Sequence, residues 1–330
     1  MKNQTQFAPD RPLEVICLGR LAVDLYAQQI GSPLEDVTSF ARYLGGSAGN
    51  AAFGCARLGM KSSMLTRVGD EHNGRFLVRE LAREGCDVSH VKVDPQRLTA
   101  LVFLGLKDRD TFPLLFYREN CADMALDEGD VDANHIAQSR ALLISGTHLS
   151  ASTSLRASQR ALELARAANV RTILDIDYRP VLWGLTGRGD GATRFIASEG
   201  VSAHLQRLLP HFDLIVGTEE EFLIAGGATE LVPALRTVRR LTPATLVVKR
   251  GPLGCAVMDG AIPAQIDDAF NRRGVQVEVL NVLGAGDAFM AGFLRGWLRG
   301  EDYERCCDFA NGCGALVVSR HSCAPAMPTW

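Results

Sequence analysis

Apolar and polar positions follow two alternating patterns along most of the chain. Short apolar runs bounded by turn residues are typical of buried strands, and longer stretches with apolar residues three and four positions apart are typical of helices. The predicted strands are Leu13–Leu18, 63–68, 141–145, 171–176, 213–216 and 246–249. One predicted helix begins at about residue 48, and the others cover 73–84, 152–168, 218–225 and Leu231–Leu241. This alternation predicts an α/β fold with a doubly wound, mostly parallel sheet flanked by helices.

A second pattern interrupts this alternation in the first half of the chain. Residues 99–106 and 114–118 have the composition of two strands around a polar turn at 107–111, which indicates a hairpin rather than a strand followed by a helix. With residues 34–44, this hairpin predicts a small β-sheet that stands apart from the main sheet. A hairpin inserted into an α/β pattern is well placed to close over a ligand as a lid.

We therefore expect one domain over residues 1–330, with a lid formed by insertions at about 22–44 and 98–122. Apolar side chains on the lid strands would suit either contact with a bound substrate or a homodimer in which two lid sheets pair. These side chains are Leu101, Phe103 and Leu115. The sequence leaves both alternatives, and with them the oligomeric state, open.

The most informative stretch lies near the C-terminus, where an apolar run ends in Gly284, Ala285, Gly286 and Asp287. Two glycines allow a tight turn in which successive N–H groups point at one spot. The positive end of the following helix, predicted from Asp287 to about residue 299, points there too and favours an anion. Asp287 beside it suits a base for an attacking hydroxyl in phosphoryl transfer. An ordinary helix N-cap is the alternative, and a dinucleotide site would need a third glycine.

Charged and polar residues recur where the predicted strands end, and the carboxyl ends of parallel strands meet at one crevice. Asp24 soon follows the first strand and could accept hydrogen bonds from substrate hydroxyls. Gly45 and Gly46 permit close approach of the backbone to a ligand, and Asn50 offers an amide on the first turn of the next helix. The other charged residues at strand ends are Asp175, Asp177, Arg179, Glu219, Glu220, Lys249 and Arg250.

The composition narrows the functional classes. A net charge of −3 over 330 residues provides no basic surface for nucleic acid, and no apolar run is long enough to cross a membrane. The polar N-terminus shows no apolar segment of a signal peptide. The nine cysteines have scattered spacing, so we expect reduced thiols in a cytoplasmic protein, most of them small core residues, rather than disulfides or a zinc site.

The two glycine stretches together resemble the two motifs of the ribokinase-like (PfkB) family of carbohydrate kinases. Residues 45–51 (Gly-Gly-Ser-Ala-Gly-Asn-Ala) through Gly59 are similar to the N-terminal motif, and residues 284–289 (Gly-Ala-Gly-Asp-Ala-Phe) to the C-terminal one. The spacing of the motifs, the inserted lid and the closing residues 324–329 also match, so the resemblance covers nearly the whole chain. It implies a ribokinase-like fold and the phosphorylation of a sugar by ATP and Mg²⁺.

The resemblance also implies roles for individual residues. Asp287 would be the base that faces the sugar's primary hydroxyl, and the N–H groups of Gly284, Ala285 and Gly286 would hold the transferred phosphoryl group. Glu220 would organise Mg²⁺ through water. The substrate would be bound by Arg20, Asp24, Gly45, Gly46, Asn50, Arg118 and Arg179, and the nucleotide by Lys249, Gly251, Gly254, Asn311 and Gly314.

Four stretches, 19–26, 40–44, 116–124 and 217–221, are most similar to the subgroup that phosphorylates C6 of the sugar acid 5-dehydro-2-deoxy-D-gluconate in myo-inositol catabolism. A carboxylate suits the two-pronged donor of a guanidinium. Among the arginines, Arg118 and Arg179 match positions that similar kinases use for this, and Arg20 is a third candidate. The alternatives are a kinase for 2-keto-3-deoxygluconate or fructose, a nucleotide-sensing module without catalysis and, third, a dinucleotide-dependent oxidoreductase.

Four positions depart from the general family pattern. Asn281 and Leu283 replace an Asp and a Thr of the second motif. That Asp often helps bind a monovalent cation, so dependence on K⁺ is left open. Gly217 replaces an Asn near the phosphates, and Asp177 replaces an Asn at the end of a strand.

Overall fold

The computed structural model describes residues 1–107 and 111–330. Its strands are β1 (Leu13–Leu18), β2 (Ala22–Ala27), β3 (Phe40–Gly45), β4 (Ser62–Gly69), β5 (Val91–Asp94), β6 (Leu101–Leu104), β7 (Leu114–Tyr117), β8 (Ser139–Ser145), β9 (Arg171–Asp175), β10 (Leu214–Thr218), β11 (Thr245–Lys249), β12 (Cys255–Met258) and β13 (Phe270–Arg272). Its helices are α1 (Ser47–Arg57), α2 (His72–Arg83), α3 (Ala133–Ala137), α4 (Ser152–Ala167), α5 (Glu199–Leu208), α6 (Glu219–Gly226), α7 (Leu231–Leu241), α8 (Ala285–Trp297) and α9 (Tyr303–Val318).

Nine strands form the main sheet in the order β13-β12-β11-β10-β9-β8-β1-β4-β5. The strands from β11 to β5 are mutually parallel, whereas β12 and β13 pair antiparallel at one edge. The chain winds outward in both directions from β1, which confirms the predicted doubly wound, mostly parallel sheet. The two antiparallel edge strands were not predicted.

Alternate side chains of each central strand enter two different cores. On β1, Val15 and Cys17 pack with α1, α2, α8 and α9, and Ile16 and Leu18 pack on the opposite face with α4 to α7. Because these strands are covered on both faces, they are continuously apolar, which is why the short apolar runs predicted them well.

Four strands form a second, smaller sheet in the order β3-β2-β6-β7, which we call the small sheet. Pairing is antiparallel between β2 and β3 and between β6 and β7, and parallel between β2 and β6. The predicted hairpin is confirmed, although residues 108–110 of its predicted turn lie outside the described residues. Leu34–Asp36, predicted as part of a strand, forms a single turn of 3₁₀-helix.

All nine cysteines are free and buried, so they act as small core residues. Among the helices of the described residues, none combines the length and the apolar character that crossing a membrane requires.

The two-sided burial of the sheet leads to a prediction about stability. Leu246 on β11 is fully buried in the second core, whereas Leu98 is 70% exposed. We expect Leu246→Ala to lower the free energy of unfolding by about 2–5 kcal/mol, because it removes buried methyl groups and leaves a cavity. The matched variant Leu98→Ala is expected to change it by less than about 0.5 kcal/mol. Urea unfolding followed by circular dichroism would contradict this if both variants had the same effect.

Candidate active site

A cavity of about 510 Å³ lies where β9, β10 and β11 end and α8 begins. This is the edge of a parallel sheet at which ligands are expected to bind. Its lining includes Asp175, Asp177, Arg179, Arg194, Glu220, Glu221, Lys249, Gly251, Gly254, Asn311, Gly314 and the glycine turn from Gly284 to Asp287. The predicted convergence of strand ends therefore holds for most of the charged residues named above.

The glycine turn forms the floor of this cavity. Gly284 is the N-cap of α8 with φ of 79°, a left-handed conformation that favours glycine, and a Cβ there would collide with the sulfur of Cys323. The helix begins at Ala285, two residues before the predicted start at Asp287. Since the first N–H groups of a helix lack acceptors within it, the N–H groups of Ala285 and Gly286 are available to an anion.

Asp287 lies on the first turn of α8 and faces the cavity. Asn50 of α1 donates a hydrogen bond of 2.7 Å from Nδ2 to Oδ2 of Asp287, and Oδ1 of Asn50 has no partner among the described residues. Enclosure by the protein, and secondly the negative charge of Asp177, raise the pKa of Asp287 to about 7. A carboxylate with such a pKa can accept a proton near neutral pH.

Asp177 supplies a permanent negative charge beside this base. Although burial opposes ionisation, Arg179 and the hydroxyls of Ser47 and Ser145 hold the pKa of Asp177 at about 2. Oγ of Ser145 donates to Oδ2 of Asp177 at 3.0 Å, and Nη2 of Arg179 lies 3.5 Å from Oδ1. Asp177 has φ of 37°, a conformation that Asp and Asn both tolerate better than most residues.

Lys249 extends from the end of β11 toward the glycine turn. Its Nζ lies 3.0 Å from Oδ1 of Asp175 and 3.7 Å from Oε2 of Glu221, and a Cβ on Gly286 would be 3.3 Å from it. The ammonium is thus placed beside the anion-binding turn. Burial raises the pKa of Asp175 to about 7 despite the opposing charge of Lys249.

Two neighbouring glutamates at the start of α6 have different roles. Glu220, the predicted organiser of Mg²⁺, is exposed and lines the cavity. Glu221 is buried, where its Oε2 accepts from the backbone N–H of Thr218 in a capping box and its Oε1 accepts from that of Tyr178. At Gly217, which replaces the usual Asn, a Cβ would lie 2.7 Å from Cδ1 of Ile176, so a side chain there would require Ile176 to shift.

The outer part of the cavity is apolar and suits a nucleotide base. Gly251, Gly254, Asn311 and Gly314, the predicted nucleotide-binding residues, all line it. Nδ2 of Asn311 donates to the carbonyl of Arg273 at 3.1 Å, which ties α9 to the segment after β13. That segment contributes apolar side chains to the wall, namely Val275, Val277, Val279 and Val282.

Asp24 lies on β2 of the small sheet, not in the turn after β1 as the strand-end argument assumed. Its carboxylate fills the space beside Gly45, where a Cβ would collide with it, and burial raises its pKa to about 6 although Arg20 opposes this. Gly46 has φ of 87° and packs against the carbonyl of Arg20. Both glycines are therefore required by close packing around Asp24 and Arg20.

The three predicted carboxylate-binding arginines differ in how many of their N–H groups already have a hydrogen-bond partner within the protein. Arg118 is almost fully buried: Nε donates to Oδ2 of Asp123 at 2.7 Å, and Nη1 donates to the carbonyl of Thr147 at 3.3 Å. Arg179 is paired with Asp177 and donates to the carbonyl of Tyr178. Arg20 is also buried, yet Nε and Nη1 have no partner among the described residues.

Arg194 is a cavity residue that the sequence did not reveal. It lies in an irregular segment before α5 and lines the cavity near Arg179, whose positive charge, together with burial, lowers the pKa of Arg194 to about 10. The segment is attached to the small sheet, because Gly191 donates from its N–H to the carbonyl of Leu114 at 3.1 Å. No motif or strand end marks Arg194, so no sequence signal could have found it.

A second cluster of ligand-type residues lies near the amino end of β4. Oxygen and nitrogen atoms of Asp87, His90 and His135 lie within 4.8 Å of one another. The two imidazole rings are stacked, with centroids 3.5 Å apart and planes 3° from parallel. Lone pairs in parallel planes do not converge on one ion at about 2.0–2.1 Å. Oγ of Ser63 bonds both His135 and Asp87, so we interpret the cluster as packing and hydrogen bonding.

A glycine turn at a helix N-terminus, a carboxyl group with a pKa near neutrality and a cavity at the carboxyl edge of a parallel sheet fit a carbohydrate kinase. The model of the pfkB family carbohydrate kinases matches residues 13–330, and the chain belongs to that family.

Two curated relatives that match over nearly the whole chain carry the same name. The chain is 34% identical, over 99% of its length and 94% of the relative, to 5-dehydro-2-deoxygluconokinase of Geobacillus thermodenitrificans (strain NG80-2). It is 33% identical, over 98% of its length and 95% of the relative, to the protein of that name in Shouchella clausii (strain KSM-K16).

Solved structures agree with the fold. A PfkB protein from Polaromonas sp. JS666 is 28% identical with a TM-score of 0.78, covering 95% of this chain and 98% of the other. A candidate ribokinase II from E. coli, in complex with ATP and Mg²⁺, superimposes with a TM-score of 0.83 at 22% identity, covering 96% of each chain. A double mutant of Vibrio cholerae O395 fructokinase with fructose, ADP and potassium bound has a TM-score of 0.78 at 24% identity, covering 97% of each.

The pKa of Asp287 leads to a prediction about pH. A base must be ionised to accept a proton, so kcat/KM is expected to rise with pH through about 7. Asp177→Asn removes a neighbouring negative charge, lowers the pKa of Asp287 and should move this acid limb down by about 0.5–1 pH unit.

The control is Asp302→Asn at the N-cap of α9, where Asn caps as well as Asp, and its pH profile should match that of the wild type. An acid limb that stays in place in Asp177→Asn would show that Asp177 does not influence the base.

Proposed function

We propose that this carbohydrate kinase transfers the γ-phosphoryl group of ATP to the C6 hydroxyl of 5-dehydro-2-deoxy-D-gluconate in myo-inositol catabolism. The observation that carries the kinase chemistry is Asp287 with its raised pKa beside the glycine turn. The observation that favours a sugar acid is the buried guanidinium of Arg20 with two unpartnered nitrogens. The shared name of relatives at 33–34% identity supports this substrate.

The residues around the cavity fit ATP and Mg²⁺. The turn at Gly284 to Gly286 and the ammonium of Lys249 suit the phosphates, and the valine-rich wall suits the base. Glu220 would hold Mg²⁺ through water at the exposed edge. When bound, Mg·ATP supplies the phosphoryl group, with the metal neutralising part of its negative charge.

The protein's own contribution is to position and deprotonate the sugar hydroxyl. Asp287 takes the C6 proton as the hydroxyl oxygen attacks, and Asn50 holds Oδ2 so that Oδ1 of Asp287 faces the substrate. The free Oδ1 of Asn50 and the carboxylate of Asp24 accept hydrogen bonds from other sugar hydroxyls. The N–H groups of the turn stabilise charge on the phosphoryl oxygens, and the small sheet excludes water as a lid.

The substrate carboxylate is assigned first to Arg20. Removing a cation from water without a partner is costly, and its free Nε and Nη1 can each donate a charged hydrogen bond to a carboxylate. Arg118 already has Asp123, so its role would be to hold the wall of the site, and Arg179 and Arg194 would contribute positive charge from the cavity side. A neutral sugar such as fructose would leave Arg20 unpaired.

We also propose a cytoplasmic location, where ATP is available and the nine free thiols would remain reduced. A homodimer through the small sheet remains a proposal. Phe103 packs against Phe40 and Tyr117 within this sheet, and Tyr117 is 55% exposed and could meet a partner.

The catalytic role of Asp287 is tested by Asp287→Asn. The amide oxygen can still accept from Asn50, so folding should be preserved while the base is lost. We expect kcat to fall by about 10²–10⁴-fold, measured as ADP release with Mg·ATP and the sugar acid. Exposed Asp70→Asn is the matched control and should retain full activity. Near-normal turnover of Asp287→Asn would rule out this mechanism.

The carboxylate assignment is tested with a substrate panel and Arg20→Met. The wild type should prefer 5-dehydro-2-deoxygluconate over 2-keto-3-deoxygluconate, fructose and ribose. Loss of a charged hydrogen bond of about 1.5–3 kcal/mol should lower kcat/KM for the acid about 10–150-fold, with little change for fructose. Arg188→Met, at an 84% exposed side chain, is the control.

Equal losses for the acid and for fructose would contradict a carboxylate contact at Arg20. A preference for a neutral sugar would overturn the substrate proposal and leave Asp287 as the base. ATP binding without turnover of any sugar would favour the nucleotide-sensing alternative.

A further inference from the structure

The segment that leads into the glycine turn is held by hydrogen bonds to the end of α9 and the residues after it. The N–H groups of Leu280 and Asn281 donate to the carbonyl of Val318 at 2.8 and 3.2 Å. The side chain of Asn281 is fully buried. Its Nδ2 donates to the carbonyl of Arg320 at 2.6 Å, and its Oδ1 accepts from the N–H of Leu283 at 2.8 Å.

The two polar ends of the Asn281 amide therefore connect two segments that meet at Gly284. One end fixes the residue just before Gly284, and the other fixes the 318–323 segment on which Gly284 rests, since Gly284 packs directly against the sulfur of Cys323. The position of the anion-binding N–H groups depends on this connection, because a shift of either segment would displace the start of α8.

A monovalent cation, which the Asp of the general family pattern often helps to bind, does not fit these groups. A cation would need oxygen atoms around it, whereas the Asn281 amide points its N–H donors at the carbonyl of Arg320. The position taken by a Thr in the family is Leu283, whose side chain carries no oxygen and is almost fully buried. The carbonyl of Arg320 accepts a hydrogen bond from the neutral amide of Asn281, so it does not need a cation as its partner.

We propose that Asn281 replaces a bound monovalent cation as the clamp that positions the glycine turn, so that phosphoryl transfer by this protein is independent of K⁺. This inference rests on the proposed function in one respect, namely that the glycine turn holds the transferred phosphoryl group. Asn281 is a positioning residue, because it acts through Leu283, Arg320 and the turn and does not reach the substrate.

The substitution Asn281→Asp gives this proposal a sharp test. It would place a carboxylate oxygen 2.6 Å from the carbonyl of Arg320, where two oxygens repel and no donor lies between them. A cation between those oxygens would remove the repulsion. The variant should therefore acquire a requirement for K⁺ that the wild type lacks.

The first measurement is ADP release in potassium, sodium and tetramethylammonium chloride at equal ionic strength. Wild-type turnover should vary by less than about twofold, while Asn281→Asp should lose about tenfold or more in tetramethylammonium and recover in K⁺, a difference of about 1.4 kcal/mol. The matched control is Asn134→Asp on an exposed turn of α3, which should behave like the wild type.

The second measurement is thermal unfolding in the same salts, which needs no substrate. K⁺ should raise the Tm of Asn281→Asp over its value in tetramethylammonium. The Tm of the wild type and that of Asn134→Asp should respond to the two salts in the same way, without this increase. A tenfold or greater dependence of the wild type on K⁺ would overturn the proposal even if the variant does not fold. Absence of K⁺ rescue in both measurements would overturn the clamp. If the wild type turned over none of the sugars, only the proposed function would be refuted, and the Tm comparison would still test the role of Asn281.

Discussion

The hydrogen bond from Asn50 to Asp287 is the interaction on which the site depends. It joins residues 237 positions apart, so it forms only when α1 and α8 pack on the same face of the finished sheet. The small residues of α1 allow that approach: the space beside Gly54 is filled by Ala291 of α8 and by Met327. Core packing thus brings Asn50 of α1 to the carboxyl group that follows the glycine turn of α8.

Charge is concentrated around this bond in an unusual balance. Asp175, Asp177, Glu221 and Asp287 share the cavity with Lys249, Arg179 and Arg194. Burial and the charge of Asp177 raise the pKa of Asp287 to about 7, whereas Arg179 and the hydroxyls of Ser47 and Ser145 hold the pKa of Asp177 at about 2 against the effect of burial. The charge that Asp177 carries in place of the usual Asn therefore contributes to the raised pKa of Asp287.

The sequence predicted the repeating strands because they are buried on both faces, and it predicted the glycine turn because few conformations suit that composition. It did not predict α9, since Tyr303–Val318 contains two glycines and three cysteines and has a weak apolar period. Nor could it separate Arg20 from Arg118. Their difference lies in Asp123, a partner that only the folded arrangement brings to Arg118. Arg194 was missed because irregular segments carry no periodic signal.

The guanidinium of Arg20 lies over the ring of Phe116, 5.5 Å from its centroid, and Phe116 belongs to β7 of the small sheet. The small sheet thus shields from water the cation that we propose to bind the substrate carboxylate. If the small sheet moved away, water would screen this charge and weaken its hold on a carboxylate. Under the proposed function, affinity for the sugar acid would be conditional on closure, so release of the phosphorylated acid and opening of the site would become one event.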